Sequence, residues 1–277
     1  MVRFQVSIGQ NEYRSDDGIA WARYLREVPP RHAPVVHGDV DVTQLPARSH
    51  QSYWDFVCLD ASGFGVAVDH ETIDSAEYLA GIFITRDGGQ QWIKRDPNLR
   101  LSLFSRSFWP VERFASLALP SPRIIALAWE DPWLLDGSKS HVICSRDGGE
   151  SWKYRCLGYT NPYLGFDYAG RLLALNDGYY MESFDGGDTW KKSHFEVVWP
   201  EGHNKKRVAL IRCSVFTEPQ VGYGLVVHWP FDSTEQPVSV GLVTTIDNGM
   251  RWKHLHVFDG PHARDINERH VLALHVE

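Results

Sequence analysis

The sequence predicts an all-β protein: a β-propeller of four-stranded antiparallel blades, five in number, with four or six as the alternatives. Three observations lead there. An eight-residue pattern, Ser/Thr-x-Asp-x-Gly-x-x-Trp, occurs four times in 277 residues. Each copy follows short apolar runs separated by turn residues. Aromatic residues make up 13% of the chain, with 11 tryptophans, enough large flat side chains to fill the space between packed sheets.

The four copies, called boxes below, centre on Asp87 and Trp92, Asp147 and Trp152, Asp185 and Trp190, and Asp247 and Trp252. Each opens on a hydroxyl, Thr85, Ser145, Ser183 or Thr245. The carboxylate can accept hydrogen bonds from turn N–H groups, and the hydroxyl two residues earlier can close the same loop. The Asp-Gly or Asn-Gly pair supplies the positive φ of a tight hairpin. The Trp, on the returning strand, buries its indole against a neighbouring sheet. These residues are therefore expected to hold the fold together and to take no part in chemistry.

Each repeat reads as strand A, strand B, strand C, box, strand D, giving blades at 51–95, 111–156, 162–193 and 207–258. The aspartates are 60, 38 and 62 residues apart, so the short third blade is the bare unit and the others carry insertions. Residues 1–50 and 259–277 remain. Segments 2–7 and 271–276 both look like strands, and pairing them protects two edges as an irregular closing blade of one domain, 1–277. Between them, Asp16 or Asp17 is placed to cap a short helix over 19–28, stopped by Pro29 and Pro30.

The formal charge of -7 disfavours nucleic acid, which selects basic surfaces. No run approaches the roughly 18 apolar residues of a membrane span, and residues 1–6 lack a signal-peptide core. Cys58, Cys144, Cys156 and Cys213 show no CxxC spacing. If Ser145 opposes Trp152, Cys144 faces Lys153 and Cys156 faces His141. Their sulfurs then lie about 10 Å out of register at 3.3 Å per residue, too far to bridge. Four reduced, mostly buried thiols in a cytoplasmic monomer are expected.

The boxes resemble the Asp-box, or BNR, repeats of sialidase propellers, and the run Gly63 to Val68 followed by Ile84 to Gly89 is similar to the photosystem II stability/assembly factor group. The resemblance covers about three-quarters of the chain and implies the propeller fold. It implies little about function, because such boxes occur in hydrolases, binding modules, sorting receptors and assembly factors. Sialidases of this kind use a Tyr nucleophile, a Glu partner, an acid/base Asp and three arginines. The first arginine stands in a Phe/Tyr-Arg-Ile-Pro motif. The nearest fragment here, Pro122, Arg123, Ile124, lacks both flanking residues, so the resemblance does not carry that chemistry over.

No phosphate loop, nucleophile elbow or dinucleotide fingerprint occurs, and no cofactor is expected. His254 and His256, two apart on a D strand, should share a sheet face, but a third metal ligand is missing, so no metal is expected. His37, Gly38 and Asp39 read as a turn, and Lys205 to Arg207 as a solvated linker.

The B–C segments of three blades are more informative. They run over 69–77, 129–139 and 229–237 and hold nine carboxylates against one lysine, which matches the acidity of the whole chain. Read as loops on the end opposite the boxes, they offer Asp69, Glu71, Asp74, Trp129, Glu130, Asp131, Trp133, Trp229, Phe231 and Asp232 as a partner-binding set. Aromatic anchors among charges suit a protein interface. The sequence is therefore read as a non-catalytic interaction protein for a basic partner, such as an immunity protein facing a toxin domain. The alternative is glycan binding or sialidase-like hydrolysis, since tryptophans and carboxylates also suit sugars.

Overall fold

The computed structural model describes residues 3–8, 11–25, 35–37, 40–46, 52–73, 76–95, 114–121, 123–131, 139–158, 163–166, 170–175, 179–198, 208–229, 237–262 and 272–276. Strands β1 (Phe4–Ile8), β2 (Asn11–Ser15) and β3 (Ala22–Leu25) open the chain. The first box blade holds β4 (Val35–His37), β5 (Ser52–Leu59), β6 (Gly65–Ile73), β7 (Ala76–Thr85) and β8 (Ile93–Arg95). The second holds β9 (Phe114–Ser121), β10 (Ile124–Asp131), β11 (Lys139–Ser145) and β12 (Lys153–Gly158). The third is compact: β13 (Tyr163–Phe166), β14 (Leu172–Leu175), β15 (Tyr179–Ser183) and β16 (Lys191–His194). A short β17 (Glu196–Val198) precedes β18 (Val208–Glu218), β19 (Val221–Trp229), β20 (Pro237–Thr245) and β21 (Arg251–His262), and β22 (Leu272–Val276) comes last.

These strands form five small sheets, the blades of a five-bladed β-propeller. The chain divides into two compact units. One contains Met1–Arg31, Tyr163–Phe184 and Trp190–Glu277, and the other His32–Pro162 with Asp185–Thr189.

In the first unit the terminal blade runs β22-β1-β2-β3, with Phe4 opposite Val276 and Ile8 opposite Leu272. The expected pairing of the two chain ends is therefore present. The expected helix over 19–28 is not: β3 is a strand at 22–25, and residues 26–34 lie outside the described chain. What Asp17 holds is a fifth box. Ser15 Oγ donates to Asp17 Oδ1 at 3.0 Å and accepts from the Gly18 N–H at 2.8 Å. The same carboxylate oxygen accepts from the N–H groups of Ile19 and Ala20. Trp21 donates back to the Gly18 carbonyl. This turn is one residue shorter than the others, so a fixed-length pattern passes over it.

Two clusters fill this unit. Phe4, Val6 and Ile8 meet Leu225, Val227, Val240, Leu242 and Phe258, with Trp21 packed alongside. Leu173, Tyr180 and Phe195 meet Val226, Val243 and Trp252, whose indole is buried. Alternate residues of β19 thus serve opposite faces, as the strand period of two requires. In the second unit Phe64, Val66, Val68, Ile82 and Ile84 of one blade pack on Ile125, Leu127 and Ile143 of the next, beside Trp152. The other face of the first box blade packs Val57, Ala67, Phe83 and Trp92 under Leu45. Fully burying each such aliphatic side chain contributes about 1.5–3 kcal/mol.

Two sheets gain a fifth strand in parallel, β4 beside β5 and β17 beside β21. β17 covers the outer edge of its blade, which would otherwise offer unpaired backbone groups.

Candidate functional site

The box end of each blade is occupied by its own hydrogen bonds. In the second box Ser145 Oγ donates to Asp147 Oδ1 at 2.8 Å and accepts from Gly149 N–H at 2.7 Å. Asp147 then accepts from the Ser151 N–H and hydroxyl. Thr85 with Asp87 and Thr245 with Asp247 repeat the arrangement. Asp185 accepts from the N–H and hydroxyl of Thr189. Burial alone pushes the Asp147 carboxyl up, but the Ser151 and Ser145 bonds outweigh it and bring it down to about 2. The Gln91 N–H and Thr85 hydroxyl likewise lower Asp87, and the Ile19 and Ala20 N–H groups lower Asp17.

Three of the tips are also tied to the A–B turns of their own blades. The N–H groups of Gly88, Gly148 and Asn248 donate to the carbonyls of Gly63, Arg123 and Gln220. Gly63 permits this approach: its φ is +84°, and a Cβ there would lie 3.0 Å from the Gly88 nitrogen. In these three blades boxes and A–B turns therefore share one end, and the B–C ends lie at the other end of strand C. For the ten-residue β7 that separation is about 33 Å.

Where they are described, the B–C ends differ from expectation in one important way: they are strands. β6 and β7 stay paired up to Ile73 opposite Ala76. β10 continues through Trp129, Glu130 and Asp131, opposite His141, Ser140 and Lys139. β19 reaches Trp229. Asp69, expected on an exposed loop, is 7% exposed and stands on β6 opposite Trp54, itself 5% exposed. Asp69 is thus a buried strand residue, where a solvated loop residue was expected. Glu71 lies on the same strand, opposite Ser52. Asp74, Trp133, Phe231 and Asp232 fall outside the described residues, as do Lys205 to Arg207.

Sequence reasoning missed two neighbours of this set. Trp54 sits on β5, and its ring meets Phe83 edge-on at 5.2 Å. His141 is buried, stacks on Tyr154 and lies 2.6 Å from the Tyr154 hydroxyl through Nδ1. A register shift between Trp54 and Phe56 brings Trp54 into one cluster with Val57, which a strict period of two would put on opposite faces.

The histidine pair on β21 also differs. A register shift between Leu242 and Val243 inserts a bulge, so His254 and His256 are not on one face. His254 bonds to the Val198 carbonyl and crowds Gly241 on the Val226 side, whereas His256 meets Trp21 and Phe258. Among the described residues no three His, Cys, Asp or Glu side chains are grouped as metal ligands. The thiols are free at Cys58, Cys144 and Cys156, with Cys144 opposite Lys153 and Cys156 opposite His141 as the turn register predicts. Cys144 is buried, Cys58 half-buried and Cys156 exposed, so of the expected mostly buried thiols only Cys144 is fully enclosed among the described residues. Among the described residues no helix is long and apolar enough to cross a membrane.

No family model and no curated protein matches the chain. Solved structures do. An α-L-arabinofuranosidase from Fusarium graminearum is 13% identical over 83% of this chain and 67% of its own, with a TM-score of 0.42. A xyloglucanase from Xanthomonas campestris is 10% identical over 90% of this chain and 44% of its own, at 0.35. An ulvan lyase is 9% identical over 93% of this chain and 81% of its own, at 0.36. All three are enzymes, so the expectation that the chain is not an enzyme is withdrawn.

Proposed function

We propose that the chain recognises carbohydrate, through the B–C end of the unit that carries β5, β6, β10 and β11. The observation that carries this reading is Asp69, a carboxylate buried on β6 opposite Trp54, at the shift of register that separates it from His70. Sugar sites combine aromatic faces with a few polar groups fixed in place, and strands fix them better than loops. Glu71 on the same strand and Trp129, Glu130 and Asp131 on β10 add carboxylates and an aromatic at the same end of their blades. The five turns, each built around a carboxylate that accepts backbone N–H groups, support placing the chain among the Asp-box propellers.

The test is a panel of neutral and acidic oligosaccharides by calorimetry, with turnover of aryl glycosides followed in parallel. Binding that Asp69→Asn or Glu71→Gln weakens at least about tenfold supports the reading, since losing a charged hydrogen-bond partner costs about 1.5–3 kcal/mol. No binding at millimolar concentration by a folded protein removes it.

A second reading, docking of a basic protein, rests on the nine carboxylates and one lysine of the B–C segments. Salt separates the two, because charge-steered docking weakens with ionic strength while sugar stacking hardly responds. Nothing in the site's chemistry singles out a toxin as that partner.

A further inference from the structure

β21 carries His256 into the contact between the fourth box blade and the terminal blade. Its ring lies 5.4 Å from the Trp21 indole, tilted by 31°, and 4.5 Å from Phe258, edge-on. Phe258 meets Trp21 at 4.9 Å and Tyr13 at 4.7 Å. Phe4 links Trp21 at 6.1 Å to Tyr223 at 5.0 Å. A continuous aromatic layer therefore joins the two blades, and one member of it can take up a proton.

We propose that His256 is a pH-sensitive pin, whose protonation loosens the hairpin of β2, its box turn and β3 from the fourth box blade. The surroundings favour the neutral ring. On β20 its ladder partner is Leu242, from the turn comes Trp21, and from its own strand Phe258. The charged groups of the adjoining elements are engaged elsewhere: Glu12 with Arg14, Asp16 with Arg3, Glu196 with Arg251. Asp17 is held in its turn, and His254 sits on the other face of β21. Arg23 and Lys253 add positive charge to β3 and β21, which disfavours a further proton.

Burial holds the His256 ring below its ordinary 6.5. The folded state thus resists protonation more than the open state does. The blade contact is unaffected above pH 6.5, weakens as the pH falls below it, and stops weakening once the folded pKa is passed.

Hydrogen exchange of residues 11–25, corrected for intrinsic rate, tests this between pH 7.5 and 5. Opening of the hairpin should rise by about tenfold for each unit by which the folded pKa lies below the open one. In His256→Phe the rise should vanish while exchange at pH 7.5 stays near that of the parent. An equal acid response in parent and variant overturns the proposal. Should the variant fail to fold, ring NMR of His256 in the parent decides. A midpoint below 6.5 that coincides with a shift of the Trp21 indole signal supports the pin, and a midpoint at or above it overturns it.

Discussion

Arg146 of the second box and Asp188 of the third form an ion pair, and Lys153 holds the same carboxylate at 2.7 Å. One box earlier the arrangement repeats: Arg86 and Arg95 both hold Glu150, at 3.2 and 2.7 Å. The second residue of a box thus reaches the sixth residue of the next. In the following pair those two slots are Phe184 and Met250, both drawn around Arg171 and Tyr180, so the ionic contact is replaced in kind on both sides.

If this slot pairing matters, charge order should matter more than charge itself. Asp188→Arg should lower the melting temperature, and adding Arg146→Asp should restore part of the loss. Raising salt should narrow the gap between parent and single variant, because these groups are exposed to solvent. A gap that is independent of salt would assign the loss to packing.

The box turns should respond as structural parts do. Asp147→Ala removes bonds to the Ser145 hydroxyl and to the Ser151 N–H and hydroxyl, a loss of about 1–3 kcal/mol by urea denaturation. The sign of its pH dependence follows from a folded pKa held down at about 2 against an ordinary 3.8. The contribution is complete above 3.8 and fades as the pH falls through about 2. The difference between parent and variant should therefore shrink only in strong acid.

The buried pair Arg171 and Glu182, 2.8 Å apart with 7% and 8% of each side chain exposed, should be less forgiving. Glu182 also accepts from Ser193, and Arg171 donates to the Asn248 carbonyl of the fourth box. Arg171→Ala should cost about 3–5 kcal/mol, since it strands a buried carboxylate. Replacing both residues by aliphatic ones should cost less than either single change, measured by the same denaturation curves.

Thiol reagents should distinguish the cysteines. Burial pushes Cys144 up to about 12 and Cys58 up to about 11, leaving almost no thiolate at neutral pH. Cys156 is exposed and should react first in the native protein. Mass spectrometry after brief alkylation checks the order.

The legible part of this fold was whatever repeats with fixed spacing. Hydroxyl, carboxylate, glycine and tryptophan each answer a local demand of a tight turn, so four turns and the strands beside them could be read directly. The turn at Ser15 to Trp21 obeys the same chemistry in one residue fewer, and Asp17 was consequently read as a helix cap. The bulge that parts His254 from His256 depends on pairing with β20, which no local pattern on β21 discloses. Asp69 was misjudged for a related reason. A carboxylate in an acidic stretch looks solvated until the opposite strand supplies Trp54 and continues the ladder past it.

The pairing of Phe4 with Val276 has a consequence in time. A ribosome makes β1 long before its partner β22, so this sheet stays incomplete while everything between the two strands is synthesised. Contacts this distant in sequence are slow to form, because the intervening blades must be arranged before the two strands can meet. Until then the apolar residues Phe4, Val6 and Ile8 lack one neighbouring strand, which makes the β1 segment a natural client for a chaperone.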